Sequence, residues 1–91
     1  MHVRLKVTLG PKAGTEIKVV APKYIIGREE GCTLRINNEA ISRKHCVILT
    51  TENEVVVRDL NSRNGTFVND EKVTGEAVLL HGDVLKVGPL P

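Results

Sequence analysis

The sequence predicts an all-β fold: a two-sheet β-sandwich of about ten short, mostly antiparallel strands. Three observations carry that expectation. Apolar and polar residues alternate from Val3 to Leu9, the period of a strand with one buried face. Short apolar runs then recur between clusters of Gly, Pro, Asn and Asp, as in sandwiches and barrels. Nowhere does a three-to-four period last long enough for a helix, and the β-branched run Val55-Val56-Val57 opposes one.

The first strand places Val3, Leu5, Val7 and Leu9 on one face and Arg4, Lys6 and Thr8 on the other. Gly10-Pro11-Lys12-Ala13-Gly14 breaks it, since proline withholds a donor and glycine tolerates positive φ. Glu16 to Val20 resumes with Ile17 and Val19 on one side, so a hairpin is expected. Pro22 stops that strand, Tyr24 to Ile26 starts another, and Leu34 with Ile36 marks a short one before the turn Asn37-Asn38-Glu39. His45 to Thr50, Val55 to Asp59, Thr66 to Val68, Lys72 to Val73, Ala77 to Leu80 and Val84 to Val87 follow, each bounded by turn residues. The continuous runs Val55-Val56-Val57 and Val78-Leu79-Leu80 predict central or covered strands. Gly82-Asp83 reads as a hairpin turn.

Ninety-one residues fit one domain, 1–91, which hides somewhat over ~60% of the surface of its unfolded chain. A hydrophobic share of 41% and a charged share of 26% are those of an ordinary globule. The formal charge of +2 leans basic without a basic block, and Tyr24 and Phe67 are the only aromatics, so nucleic acid is only a weak suggestion and is not an expected partner. No apolar run approaches the ~20 residues of a membrane span, and residues 1–10 alternate where a signal peptide would be continuously apolar. No membrane partner is expected, and the cytoplasm is the expected location. Cys32 and Cys46 are expected as free thiols, Cys46 in the core and Cys32 at a loop or strand edge. His2, His45, His81 and the cysteines lack the paired spacings of a zinc site, so no metal or cofactor is expected.

The chemistry lies in the loops. Gly27 and Arg28, then Ser42, Arg43 and His45, then Asp59 and Ser62-Arg63-Asn64-Gly65-Thr66 would converge if these loops met at one end of a sheet. A phosphate monoester carries about −1.5 to −2 charges and three strong acceptors. Arginine can give it two parallel bonds, and serine adds a short neutral donor. Arg28, Ser42 and Arg43 are those residue types. The Asn64 amide holds donor and acceptor together and could bond both main-chain groups of an extended peptide. Gly65 suits positive φ, the Thr66 hydroxyl could close its own loop, and the two nitrogens of His45 could tie two loops together. A hydrolase triad of Ser42, His45 and Asp59 is disfavoured, because no glycine-flanked serine elbow surrounds Ser42.

At these residues the chain resembles the forkhead-associated (FHA) domains, β-sandwiches that bind phosphothreonine peptides through loops at one end. The resemblance runs from about Tyr24 to Gly88. It includes Ile26-Gly27-Arg28, Cys32-Thr33-Leu34-Arg35-Ile36, Ile41-Ser42-Arg43-Lys44-His45-Cys46, Asp59 to Asn69 and Gly82-Asp83-Val84. It implies that Arg28 and Ser42 bind the phosphate with help from Arg43, and that Asn64 binds the peptide main chain, with Arg63 in the same loop. Gly27, His45, Gly65 and Thr66 would support the site. A small pocket for the phosphothreonine γ-methyl would reject phosphoserine. No catalysis is implied, so the expected protein is not an enzyme but a signalling adaptor downstream of a Ser/Thr kinase.

The sequence departs from the family pattern in two places. Asp70 follows Asn69 where the family often has glycine, and both residues tolerate the left-handed region of a tight turn. The chain ends at Gly88-Pro89-Leu90-Pro91 without the family's usual last strand, which leaves Val3 to Leu9 expected at an open edge. The alternative function is therefore a phosphate-independent scaffold or self-association module using that edge; the expected state is otherwise a monomer. Residues 37–41, Arg63 and residues 70–75 are expected to set sequence preference, with Arg63 favouring an acid after the phosphothreonine.

Overall fold

The computed structural model describes residues 3–8, 14–19 and 22–88. The predicted turn at residues 10–13 and the predicted strand ends Leu9 and Val20 lie outside them. The apolar phase is buried as expected at Leu5 and Val7 of β1 (Val3–Thr8) and at Ile17 and Val19 of β2 (Thr15–Val19), although Thr8 of the polar phase is buried too. The two strands pair antiparallel from Val3↔Val19 to Val7↔Thr15. Then come β3 (Lys23–Gly27), β4 (Leu34–Arg35), β5 (Cys46–Thr50) and β6 (Val55–Asp59). The rest are β7 (Thr66–Val68), β8 (Glu71–Lys72), β9 (Glu76–Leu79) and β10 (Val84–Val87). They form two five-stranded sheets, β2-β1-β10-β7-β8 and β4-β3-β5-β6-β9. Pairing is antiparallel except for β1 with β10 and β3 with β4.

The apolar phase of each strand builds the core between the sheets. Leu5, Val7, Ile17, Val19, Leu85 and Val87 of the first sheet pack with Ile26, Cys46, Ile48, Val55, Val57 and Leu79 of the second. Val47 and Val56 are also buried but stand outside that shared cluster, because alternate residues of a strand face opposite ways. Asn69 and Asp70, at φ 49° and 70°, form the two-residue turn joining β7 to β8, a pair of positive φ angles that matches the twist of a hairpin.

Three expectations are corrected. The first strand is not at an open edge: β1 lies between β2 and β10 and pairs with β10 in parallel, Lys6↔Val84 to Thr8↔Lys86. The turn before β10 helps to dock it, since the Lys6 N–H donates to the Asp83 carbonyl at 3.2 Å. Second, β6 is central, but the strand carrying Val78 and Leu79 is the outer strand of its sheet. Only Leu79 enters the core; Val78 is 51% exposed and the following Leu80 66%. Third, Gly82-Asp83 is a turn but not a hairpin, because β9 and β10 belong to different sheets. Asp83 shapes it by accepting from the Leu80 N–H at 2.8 Å and from the Asn69 side-chain amide at 3.0 Å.

Candidate functional site

The site grows from the end of β3. A Cβ on Gly27 would stand 2.1 Å from the Arg43 carbonyl oxygen, so only glycine lets loop 41–45 press against that strand end. Three main-chain bonds hold the contact: Arg28 N–H to the Ser42 carbonyl at 3.0 Å, Glu29 N–H to the Arg43 carbonyl at 3.1 Å, and His45 N–H to the Ile26 carbonyl at 2.9 Å. Ile41 is buried at 1% exposure. Burying a side chain of that size contributes about 1.5–3 kcal/mol, which anchors the loop from below.

Arg28 is half-buried, and its Nε donates to the Ile41 carbonyl at 3.1 Å. Its Nη groups bond no protein atom among the described residues. Ser42 Oγ accepts from the Arg63 N–H at 3.0 Å, which joins two of the loops and leaves the hydroxyl proton free to donate. Asn64 Nδ2 donates to the Ala40 carbonyl at 2.7 Å. One amide hydrogen of Asn64 is thus committed within the protein, leaving the second hydrogen and Oδ1 for another partner. Arg43 and Arg63 are exposed.

Beneath these groups lies a polar frame. The buried His45 ring accepts from the Ser42 N–H through Nδ1 at 3.2 Å and meets the Gly65 carbonyl through Nε2 at 2.6 Å. An acceptor at Nδ1 places the ring proton on Nε2, which donates to Gly65. Gly65 itself sits at φ 88°, in the left-handed region. Asp59 is the second hub. Its Oδ2 accepts from the Ser62 N–H at 3.0 Å, and its Oδ1 from Ser62 Oγ at 2.5 Å and Thr66 Oγ1 at 2.7 Å. The Gly65 N–H then donates to Ser62 Oγ at 3.1 Å. Partial burial pushes the Asp59 carboxyl up, but the bonds from Ser62 and Thr66 outweigh it and hold the pKa below the ordinary 3.8. Nearby, burial pushes the free Cys46 thiol up to about 12, which leaves it an inert core group. Cys32, also free, donates its S–H to the Arg43 carbonyl at 3.3 Å.

No triad forms from Ser42, His45 and Asp59. His45 takes the main-chain N–H of Ser42 rather than its hydroxyl, and both Asp59 oxygens are engaged by Ser62 and Thr66. Among the described residues, no group of three His, Cys, Asp or Glu side chains is placed to hold a metal ion, and no helix is long and apolar enough to cross a membrane.

A shallow cleft of about 310 Å³ opens beside Arg28, lined by Arg28, Glu29, Glu30, Arg35, Asn37 and Arg43. Of the candidate residues, the structure puts Arg28 and Arg43 on this cleft; Ser42, Arg63 and Asn64 lie on the adjoining pair of tied loops. Sequence reasoning missed Arg35 as a cleft residue, along with the anchoring roles of Asp59 and Ser62. An Asp followed three residues later by Ser is the pattern of a side chain closing its own turn, and would have flagged that pair. Arg35 carried no such signal.

An all-β sandwich whose end loops carry an anchored guanidinium, a serine hydroxyl and an amide has the donor set of a binding module suited to an anion. A family model for the FHA domain matches residues 24–88, and the chain belongs to that family. Curated relatives include the glycogen accumulation regulator GarA of Mycolicibacterium smegmatis, 34% identical over 84 residues, covering 92% of this chain and 52% of that protein. The oxoglutarate dehydrogenase inhibitor of Corynebacterium efficiens is 33% identical over 84 residues, covering 92% and 58%. The chain thus spans about half the length of the curated relatives it matches. Among solved structures, the FhaA FHA domain complexed with an intracellular domain superposes with a TM-score of 0.72 at 35% identity, covering 82% of this chain and 81% of that one. A structure from work on phosphothreonine-dependent FHA domain interactions gives 0.73 at 33%, covering 86% and 80%.

Proposed function

We propose that this FHA domain is a non-catalytic module that binds phosphothreonine peptides and links its targets to a Ser/Thr kinase pathway, acting in the cytoplasm. Arg28, Ser42 and Arg43 bind the phosphate, and Asn64 and Arg63 bind the peptide beside it. The observation that carries this reading is Arg28: its Nε is fixed to the Ile41 carbonyl, its Nη fork bonds no protein atom among the described residues, and it lines a cleft. That fork can give a phosphate two parallel charge-assisted bonds. Each such bond contributes about 1.5–3 kcal/mol net, so two or three supply much of the ~8 kcal/mol of a micromolar complex. The phosphothreonine-dependent interactions of a structural neighbour support the reading, as do the regulator and inhibitor names of the relatives. The engagement of His45 and Asp59 in structural bonds supports a binder rather than a catalyst.

The test is calorimetric titration of matched phosphothreonine, phosphoserine and unphosphorylated peptide pools into wild type and Arg28→Ala. Binding confined to the phosphothreonine pool and lost in the variant is expected; an unchanged dissociation constant for Arg28→Ala would remove the assignment.

A second reading, self-association without phosphate, is favoured by the exposed Val78 and Leu80 on and beside the outer strand β9. Unpaired strand edges invite pairing. Sedimentation at several concentrations decides it: a strict monomer removes its basis.

A further inference from the structure

We propose that Arg35 forms a second oxyanion subsite, beside that of the phosphothreonine phosphate, which takes another acidic group carried by the same peptide. The subsite rests on the phosphothreonine reading above.

Arg35 ends the short strand β4, which pairs in parallel with β3 through Ile26↔Leu34 and Gly27↔Arg35. Leu34 packs against the core while Arg35 is exposed, as the alternation of a strand requires. The Ile36 N–H donates to the Gly27 carbonyl at 2.8 Å, so the backbone beside Arg35 is fixed to the same glycine that seats loop 41–45.

The side chain is fixed as well. Arg35 Nε donates to the carbonyl of Arg28 at 2.9 Å, as Arg28 Nε donates to the carbonyl of Ile41 at 3.1 Å. Two guanidinium groups are thus tethered by the same device, each keeping four Nη hydrogens as a planar fork. A solvated surface arginine gains little from such ordering. A receptor gains affinity, because the side chain is already restrained before the ligand arrives.

Charge completes the argument. Arg28, Arg35 and Arg43 share one cleft, and none belongs to an ion pair among the described residues, where the pairs are Arg4–Glu16, Arg58–Glu76 and Lys86–Asp70. A phosphate of about −1.5 to −2 charges matches two guanidinium groups and leaves the third. Glu29 and Glu30 also line the cleft without coming within ion-pair distance of the arginines. They set a repulsive background that only a well-placed acid overcomes, so the cleft should not accept polyanions indiscriminately. The chemistry is that of an oxyanion, which a peptide can supply as a carboxylate or as a second phosphate.

The experiment measures binding of phosphothreonine peptides with otherwise neutral flanks, into which aspartate or a second phosphothreonine is placed at each flanking position in turn. Wild type, Arg35→Gln and Arg63→Gln are compared, with folding checked by thermal melts. At one position the acid is expected to raise wild-type affinity roughly three- to tenfold, a charge-assisted bond discounted for exposure. That gain should vanish in Arg35→Gln, while the peptide with neutral flanks binds Arg35→Gln as it binds wild type. In Arg63→Gln, whatever its effect on overall affinity, the gain from the acid should survive. A gain with aspartate identifies a carboxylate subsite, and a gain with phosphate alone identifies a second phosphate as the source. No gain at any position, or a gain that survives Arg35→Gln, overturns the subsite and leaves the phosphothreonine reading intact. Equal weakening of every peptide by Arg35→Gln also overturns it, since Arg35 would then only position Arg28. Failure of folded wild type to bind any phosphothreonine peptide overturns the reading beneath it and the subsite together.

Discussion

The His45 ring reaches across 20 positions of sequence to the Gly65 carbonyl, Nε2 to O at 2.6 Å, while its Nδ1 takes the Ser42 N–H. One fully buried imidazole therefore fastens the loop that carries Ser42 to the loop that carries Asn64. Removing it leaves a cavity and two main-chain groups without their partner. His45→Ala is expected to lower stability by about 2–4 kcal/mol, read as a fall in denaturation midpoint with an unchanged slope. Phosphopeptide affinity should fall as well, because both loops lose their registration. A variant as stable as wild type would show that the two bonds contribute nothing.

Asp59 makes a different kind of contribution, visible in its pH dependence. Its carboxyl titrates below the ordinary 3.8 in the folded protein, where Ser62 and Thr66 donate to it. Between the folded and unfolded values the unfolded state binds more protons, so stability rises with pH there. The contribution is fully present above the unfolded value of about 3.9 and is lost as pH falls through the lower folded value. Asp59→Asn puts an N–H where the Ser62 N–H or a hydroxyl donor requires an acceptor. It should cost about 1–3 kcal/mol at neutral pH and flatten the acid limb of the stability profile below pH ~4. An acid limb identical to that of wild type would exclude Asp59 as its source.

Gly27 holds the site by what it lacks. The Cβ of Gly27→Ala would lie 2.1 Å from the Arg43 carbonyl oxygen and 2.9 Å from its carbon, both backbone atoms that cannot rotate away. Loop 41–45 must shift, and with it the bonds from Arg28 N–H and Glu29 N–H. A loss of about 1–3 kcal/mol is expected, together with lost phosphopeptide binding. Gly31→Ala meets nothing within 4 Å and is strained only by its φ of +97°, so it should cost about 1 kcal/mol and spare binding. Binding retained by Gly27→Ala would show that the close approach of the loop is dispensable.

Local patterns in the sequence made most of the strands legible. Val55 to Asp59, Thr66 to Val68 and Val84 to Val87 coincide with β6, β7 and β10, where apolar runs and turn residues sharply mark both ends. Strand order is a non-local property, and there the reading failed. The run Val78-Leu79-Leu80 is as apolar as that of β6, yet it closes a sheet and exposes two of its side chains. In the site, Gly-Arg and Asn-Gly are each common loop and turn sequences on their own; the loops were legible because Gly27-Arg28, Ser42-Arg43-Lys44-His45 and Asn64-Gly65-Thr66 occur together and in order. Arg35 was not legible, because an arginine on the polar phase of a strand resembles any solvated cation until the Arg28 carbonyl is seen to hold it. The Asp59 hub depends on where Thr66 falls after the turn at Asn61, whose φ of 59° is not marked by a glycine.

Arg28 offers the most direct separation of charge from geometry. Arg28→Lys preserves the positive charge but removes the Nε–H that is bonded to the Ile41 carbonyl and the planar fork that remains beyond it. If the phosphate needed only a cation, lysine would serve. If it needs a fixed fork, lysine should lose roughly 1.5–3 kcal/mol of binding, about ten- to a hundredfold in dissociation constant. Stability should fall by only about 1 kcal/mol, the worth of one hydrogen bond. Ligand protonation gives an independent check. The phosphate becomes a monoanion below its second pKa near ~6, so wild-type affinity should decline from pH 7 to pH 5. The decline should be shallower in Arg28→Lys, which no longer couples two parallel bonds to the second charge. A lysine variant that binds as wild type does, or a flat wild-type profile down to pH 5, would remove the bidentate role assigned to Arg28.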